Sequence, residues 1–134
     1  QSAIAALDGG GDALSLINTL IGMSVNINTR RPRLSNITGG LSGPAIRPIG
    51  VAMTWKVRKA VGSTVPVFGI GGIMDSRDAL EYIIAGANAV QIGTGTFLDP
   101  KTAENVLNGI KAYLAKESIS KYNNLVGALN VRQI

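Results

Sequence analysis

Apolar and polar positions along this chain switch between two periods, and the switches predict its elements. Residues 2–7 are Ala-rich and helix-compatible, and they stop at Gly9-Gly10-Gly11, a strong breaker. Residues 13–17 form a short apolar run that reads as a buried strand, with Asn18 and Thr19 at its carboxyl end. Residues 24–34 alternate, with Val25 and Ile27 on one side and Ser24, Asn26 and Asn28 on the other. That alternation breaks at Arg31-Pro32, which predicts a small hairpin within a long loop. A glycine-rich stretch over residues 39–44 reads as flexible chain ahead of a helix. The helix is expected to begin near Pro48, because proline fits a first turn, with Ile49, Ala52, Met53, Val57 and Ala60 at helical spacing. A second buried strand covers residues 65–70 and ends in Gly71-Gly72. Asp75 is a good N-cap for a helix carrying Ala79, Leu80, Ile83 and Ile84, closed by Gly86. A third strand over 89–92 ends in Gly93-Thr94. After Pro100 a helix runs to about Lys116 with Val106, Leu107, Ile110 and Leu114 on one face, and a short apolar pattern follows at Ile119, Tyr122, Leu125 and Val126.

A helix followed by three strand–helix units argues for α/β class, with a parallel sheet covered by helices. Two architectures compete, an open doubly wound sheet and a closed eight-stranded barrel. A barrel of ~250 residues spends ~31 on each unit, so this chain is expected to supply only part of one. Alone it would leave both sheet edges unpaired.

Composition narrows the chemistry. The 134 residues are 46% hydrophobic and 16% charged, an ordinary globular balance. No apolar run reaches the ~18–20 residues needed to cross a bilayer. The chain opens on Gln1 with no basic n-region or apolar core, so a secretory signal is not visible and the first residues are not expected to be a natural start. Cys and His are both absent, which excludes disulfides, Cys/His zinc sites and a His-based triad within this chain. The net charge of +5 fits an anionic ligand as well as nucleic acid. Basic residues are scattered apart from Arg30, Arg31 and Arg33, and six aromatics offer little for base stacking, so nucleic-acid binding is not favoured. The three arginines read as solvated loop charges, with docking to an acidic partner as the alternative. Trp55 and Tyr82 read as packing or helix surface.

Strand ends matter most, because parallel α/β proteins bind ligands at the carboxyl edge. All three strands end in small or polar residues: Asn18-Thr19, Gly71-Gly72 and Gly93-Thr94. Glycine lets backbone N–H groups approach a phosphate with no Cβ in the way, and a following helix start adds partial positive charge. One Gly-Gly pair is explained by a tight turn; glycines at two consecutive strand ends favour phosphate binding. The 39–44 stretch is either a third backbone cradle or a helix entry. It is not a P-loop, since no Gly-Lys-Ser/Thr follows, and Gly69-Ile70-Gly71-Gly72 lacks the last glycine of a dinucleotide fingerprint.

Three runs carry a family resemblance: Ile17-Asn18-Thr19 followed by Asn36-Ile37-Thr38-Gly39-Gly40-Leu41-Ser42-Gly43-Pro44-Ala45-Ile46-Arg47-Pro48; Gly69-Ile70-Gly71-Gly72-Ile73; and Ala85-Gly86-Ala87-Asn88-Ala89-Val90-Gln91-Ile92-Gly93-Thr94. In order and spacing the chain resembles dihydroorotate dehydrogenase, over nearly its whole length, and most closely the NAD-linked type. The resemblance implies that residues 1–134 are the C-terminal segment of a larger single-domain enzyme, about strands six to eight of a (β/α)8 TIM barrel. It implies a cytoplasmic FMN-dependent oxidoreductase that converts dihydroorotate to orotate in pyrimidine (UMP) biosynthesis. It also implies a homo- or hetero-oligomer with an iron–sulfur flavoprotein subunit carrying FAD and the cluster. By motif, Asn18 and Thr19 would contact the pyrimidine, Ile17 and Gly43 would touch the flavin, and Gly71, Gly72, Gly93 and Thr94 would hold its phosphate. The family's catalytic base, a cysteine in this type, and a flavin-contacting lysine lie upstream in its pattern, so no catalytic residue is expected here. The alternatives are a dihydropyrimidine dehydrogenase-type flavoenzyme domain and a non-catalytic phosphate-binding or partner-docking fragment.

Overall fold

The computed structural model describes residues 1–131. A first helix, α1 (Ser2–Asp8), leads into a three-stranded parallel sheet of β1 (Leu14–Leu16), β6 (Val67–Ile70) and β7 (Ala89–Gln91), in the spatial order β1-β6-β7. Helix α2 (Arg47–Val61) connects β1 to β6 and α3 (Ser76–Ala85) connects β6 to β7, while α5 (Thr102–Lys116) packs on α3. The strand–helix alternation and the parallel sheet are as the sequence pattern predicts.

Register separates the two sheet faces. Leu14 lies opposite Val67, and Ser15 opposite Phe68, which in turn pairs with Ala89. Leu14, Leu16 and Val67 pack with Val57, Val61, Leu7 and Ala3 from α2 and α1. Val90 meets two further clusters, one around Ile73, Ala79, Tyr82 and Val106 and one around Leu80, Ile83 and Leu125. The predicted apolar tail of Ile119, Tyr122, Leu125 and Val126 belongs to the last of these. On the other face, the Ser15 hydroxyl donates to Gln91 Oε1 at 2.7 Å, across the central strand, and both residues are exposed. Among the described residues nothing covers that face.

The caps follow the sequence closely. Asp75 Oδ1 accepts the N–H groups of Arg77 (2.8 Å) and Asp78 (3.0 Å), and Gly86 closes α3. On the amino-terminal side of the strands, Arg58 joins three elements. Its Nε donates to Gly86 O at 2.8 Å, Nη1 to Gly62 O and Val65 O at 2.6 and 2.9 Å, and Nη2 to Asn88 Oδ1. Val67 N–H and Tyr122 OH complete this knot through the Asn88 side chain and carbonyl.

Three expectations are corrected and one unforeseen element is added. Residues 39–41 are strand rather than flexible chain: β2 (Leu20–Met23) and β5 (Thr38–Leu41) run antiparallel, enclosing the predicted hairpin of β3 (Val25–Asn26) and β4 (Arg31–Pro32). Gly40, paired with Ile21, has room only for glycine, because the Thr19 side chain occupies the space a Cβ would take. The buried stripe of α2 is Gly50, Thr54 and Val57, whereas Ile49 and Met53 are 44% and 40% exposed. The large buried Tyr82 from α3 fits only against Gly50, and this turns the helix relative to its apolar spacing. Leu107 is exposed while Thr102 and Val106 are the buried residues of α5, with the Thr102 hydroxyl turned inward to Gly95 O (3.0 Å) and Asp99 O (2.6 Å). A short helix, α4 (Thr94–Leu98), follows β7 with no apolar signature of its own, and its Phe97 is exposed.

Candidate functional site

The carboxyl ends of the three parallel strands converge. Ile17, Asn18 and Thr19 leave β1, Gly71 and Gly72 leave β6, and Gly93 and Thr94 leave β7; Gly43 approaches from the end of the β5 arm. All eight line one cavity of about 170 Å³, floored by Ile46, Ile70 and Ile73. No charged side chain borders it. The polar character of the cavity comes from backbone groups and from the side chains of Asn18, Thr19, Ser42 and Thr94.

The glycine geometry has direct causes. Gly72 has φ 70°, a left-handed conformation that side chains disfavour, and a Cβ there would lie 2.5 Å from Gly43 O and 3.0 Å from Arg47 Cβ. Gly43 itself accepts the Ile46 N–H at 3.1 Å and so opens the Pro44–Ile46 3-10 turn that leads into α2. The N–H groups of Gly71, Gly72, Ile73 and Thr94 donate to no other group among the described residues. Gly72 and Ile73 are buried, where amides seldom lack acceptors, and Gly71 and Thr94 are half-buried beside them, so the four are available to an anion in the cavity. At the β7 end, Gly93 O accepts both the N–H (3.0 Å) and the hydroxyl (2.8 Å) of Thr96, while the Thr94 hydroxyl donates to Ser42 Oγ at 3.0 Å and ties β7 to the arm. Asn18 Oδ1 accepts the Thr19 N–H at 2.8 Å, leaving the side-chain NH2 as the group presented outward.

Several residues beneath the cavity escape the sequence reading. Tyr82 is fully buried, and its hydroxyl donates to Gly71 O at 2.8 Å and lies 3.4 Å from Ile70 O. Burial pushes its phenol up to about 12, with Arg47 opposing the shift and Glu81 adding to it. Asp78 Oδ2 accepts the Met74 N–H at 2.9 Å, and its other oxygen pairs with Arg47. Arg47 Nε lies 3.5 Å from Glu81 but is oriented so that it makes no hydrogen bond. Ser42 stands inside the glycine-rich run, and its neighbours there were the available signal. For Tyr82 the signal was its place on the buried α3 stripe beside Ala79 and Ile83, which reads as packing. Trp55 lies away from the cavity with the Lys59 ammonium 4.5 Å from its ring centroid, a cation–π contact on the helical surface. Arg30, Arg31 and Arg33 are exposed and make no ion pair among the described residues.

The matching family model, described as dihydroorotate dehydrogenase, covers residues 1–114. The chain is 55% identical over 131 residues to a protein of Geotalea daltonii named dihydroorotate dehydrogenase B (NAD(+)), catalytic subunit, covering 98% of this chain and 42% of that one. A protein of the same name from Geobacter sp. (strain M21) is 54% identical over 129 residues, with 96% and 42% covered. The crystal structure of a ligand-free type dihydroorotate dehydrogenase from Eimeria tenella superposes with a TM-score of 0.78 at 28% identity, over 95% of this chain and 34% of that one. The chain therefore spans about two-fifths of the length of the curated relatives it matches. No helix among the described residues is long and apolar enough to cross a membrane. Motif order, fold and sequence identity agree: the chain belongs to the dihydroorotate dehydrogenase family.

Proposed function

We propose that the chain is the cofactor-phosphate end of an FMN-dependent dihydroorotate dehydrogenase of the NAD-linked type. One observation carries the reading: the acceptor-less amides of Gly71, Gly72, Ile73 and Thr94 meet in one cavity. Glycine-framed amides without a charged side chain suit a phosphoryl group, which accepts several hydrogen bonds at once. Ligand pockets usually enclose about 300–1,000 Å³, so 170 Å³ suits the phosphoryl end of a flavin and not the whole molecule. Residues 1–134 then form the C-terminal segment of one barrel domain, about its strands six to eight. The uncovered sheet face with Ser15 and Gln91 supports this, since barrel strands turn one face inward onto side chains from the other strands.

Within that frame Gly71, Gly72, Gly93 and Thr94 hold the phosphate, and Ile17 and Gly43 border the flavin. Asn18, with its NH2 presented outward, donates to a carbonyl or carboxylate oxygen of the pyrimidine, and Thr19 lies beside it. Bound here, the flavin supplies the two-electron acceptor for oxidation of dihydroorotate to orotate. The proton leaving the substrate needs a base within hydrogen-bond reach, and none of the cavity-lining side chains is one; that group comes from the part of the enzyme outside this chain. The names of the relatives, which are catalytic subunits, support a second subunit; that it transfers electrons through FAD and an iron–sulfur cluster is what the family resemblance implies. They favour this reading over a dihydropyrimidine dehydrogenase-type domain. A cytoplasmic, oligomeric enzyme is part of this reading, as the family resemblance implies.

The test is purification of the full-length protein. It is expected to be yellow, to release FMN on denaturation, and to bleach anaerobically with dihydroorotate but not with dihydrouracil. Colourless protein that cannot be reconstituted with FMN rejects the proposal, and bleaching by dihydrouracil alone would move it to the other flavoenzyme class.

A further inference from the structure

We propose that Tyr82 is a positioning residue for the anion cradle, acting through the Gly71–Gly72 peptide unit. The inference rests on the flavin-phosphate reading above and assigns a role to a side chain that touches no ligand.

The geometry starts from the peptide plane. Gly71 C=O and Gly72 N–H belong to one planar trans unit, and in such a unit the two groups point in opposite directions. The Tyr82 hydroxyl holds the Gly71 carbonyl from below at 2.8 Å, so the Gly72 N–H is turned away from the helix layer, toward the cavity that both glycines line. Without that bond the unit is free to rotate, because glycine on both sides leaves few steric barriers to it. Gly71 and Gly72 take φ values of 132° and 70°, so neither is held by an ordinary side-chain-bearing conformation.

The surroundings are built to admit this phenol. Tyr82 reaches from α3 beneath β6 only because Gly50 on α2 and Gly69 in β6 lack side chains: a Cβ on Gly50 would meet the hydroxyl, and one on Gly69 would meet the ring. A Cβ on Gly71 would lie 3.2 Å from the same hydroxyl. An aliphatic residue would fill the apolar space as well, so packing alone does not call for a hydroxyl at this point. The far end of the loop is pinned separately, by the Met74 N–H on Asp78. Tyr82 and Asp78 thus clamp residues 71–74 from one side and leave the intervening amides to the other.

The experiment uses the full-length protein, stripped of flavin and titrated with FMN and with riboflavin, which carries the same ring and ribityl chain but no phosphate. Tyr82→Phe keeps the ring and removes the hydroxyl. We expect the Kd for FMN to rise about tenfold, the scale of one hydrogen bond to a charged group, with riboflavin affinity changed less than about twofold. Both ligands report on the same folded population, so the ratio of their affinities is insensitive to partial unfolding. Should Tyr82→Phe fail to fold, Tyr82→Met refills the space with a flexible apolar chain and is expected to give the same loss of FMN preference. Equal weakening of both ligands means a purely structural role and overturns the inference, as does an unchanged FMN preference. If the wild-type protein itself binds riboflavin as tightly as FMN, the phosphate reading falls, and this inference with it.

Discussion

Gly72 concentrates the demands on the site into one position. Its φ of 70° and its closeness to Gly43 O exclude a side chain on two independent grounds. Gly72→Ala is expected to destabilise the full-length protein by about 1–3 kcal/mol and to abolish FMN retention, read by urea melts and flavin fluorescence. Tyr82 gives a second residue-scale expectation. An exposed tyrosine ionises near 10, whereas burial holds this one protonated up to about 12. The folded chain therefore binds the proton more tightly, and the associated stability is full below about pH 10 and lost as pH rises through about 12. Urea melts across that range are expected to fall more steeply for wild type than for Tyr82→Phe; parallel curves would show that the phenol does not ionise with unfolding. At this scale the sequence was most informative where chemistry is local. Glycines at strand ends and the Asn18-Thr19 pair could be placed at the carboxyl edge of the sheet, where they line one cavity, because residue type marks where strands end. The partner of a buried hydroxyl is not, since it depends on where a distant loop passes.

Among the elements, those with end signals were read well. Asp75 and Gly86 bound α3 as expected because a cap is a contact between near neighbours in sequence. Asp75→Ala is expected to cost about 1 kcal/mol, measurable as a lower denaturation midpoint with unchanged slope. The β2–β5 pairing was missed for the opposite reason: its paired residues lie 15 or more positions apart in sequence and Gly39-Gly40 is a poor strand signal. The face of α2 was misjudged because Tyr82 needs a glycine opposite it, a requirement set by another helix. Arg58 shows the same limit, as one side chain serving acceptors just ahead of two strands and at the ends of two helices. Burial lowers its pKa, and no carboxylate accompanies it among the described residues. Arg58→Met leaves those acceptors unmatched and is expected to lower stability by about 2–3 kcal/mol without changing FMN affinity in thermal melts and titrations of the full-length protein.

For the molecule as a whole, the parallel sheet and its helix cover were legible from period alone, while the proposed closure into a barrel has no counterpart in the three parallel strands of the described residues. The outer edges of β1 and β7 have no partner strand among the described residues, and Ser15 and Gln91 stand exposed on one face with Phe68 half-buried between them. Isolated, the 134-residue chain is therefore expected to self-associate, seen as concentration-dependent sedimentation and melting; a cooperative monomeric melt would contradict this. The polar knot around Arg58 and the cavity of Gly71 and Thr94 stand at opposite rims of the same three strands. Changes at the lower rim, where Arg58 sits, can therefore shift heat tolerance while leaving the upper cavity as it is, whereas changes at Gly72 or Tyr82 alter both at once.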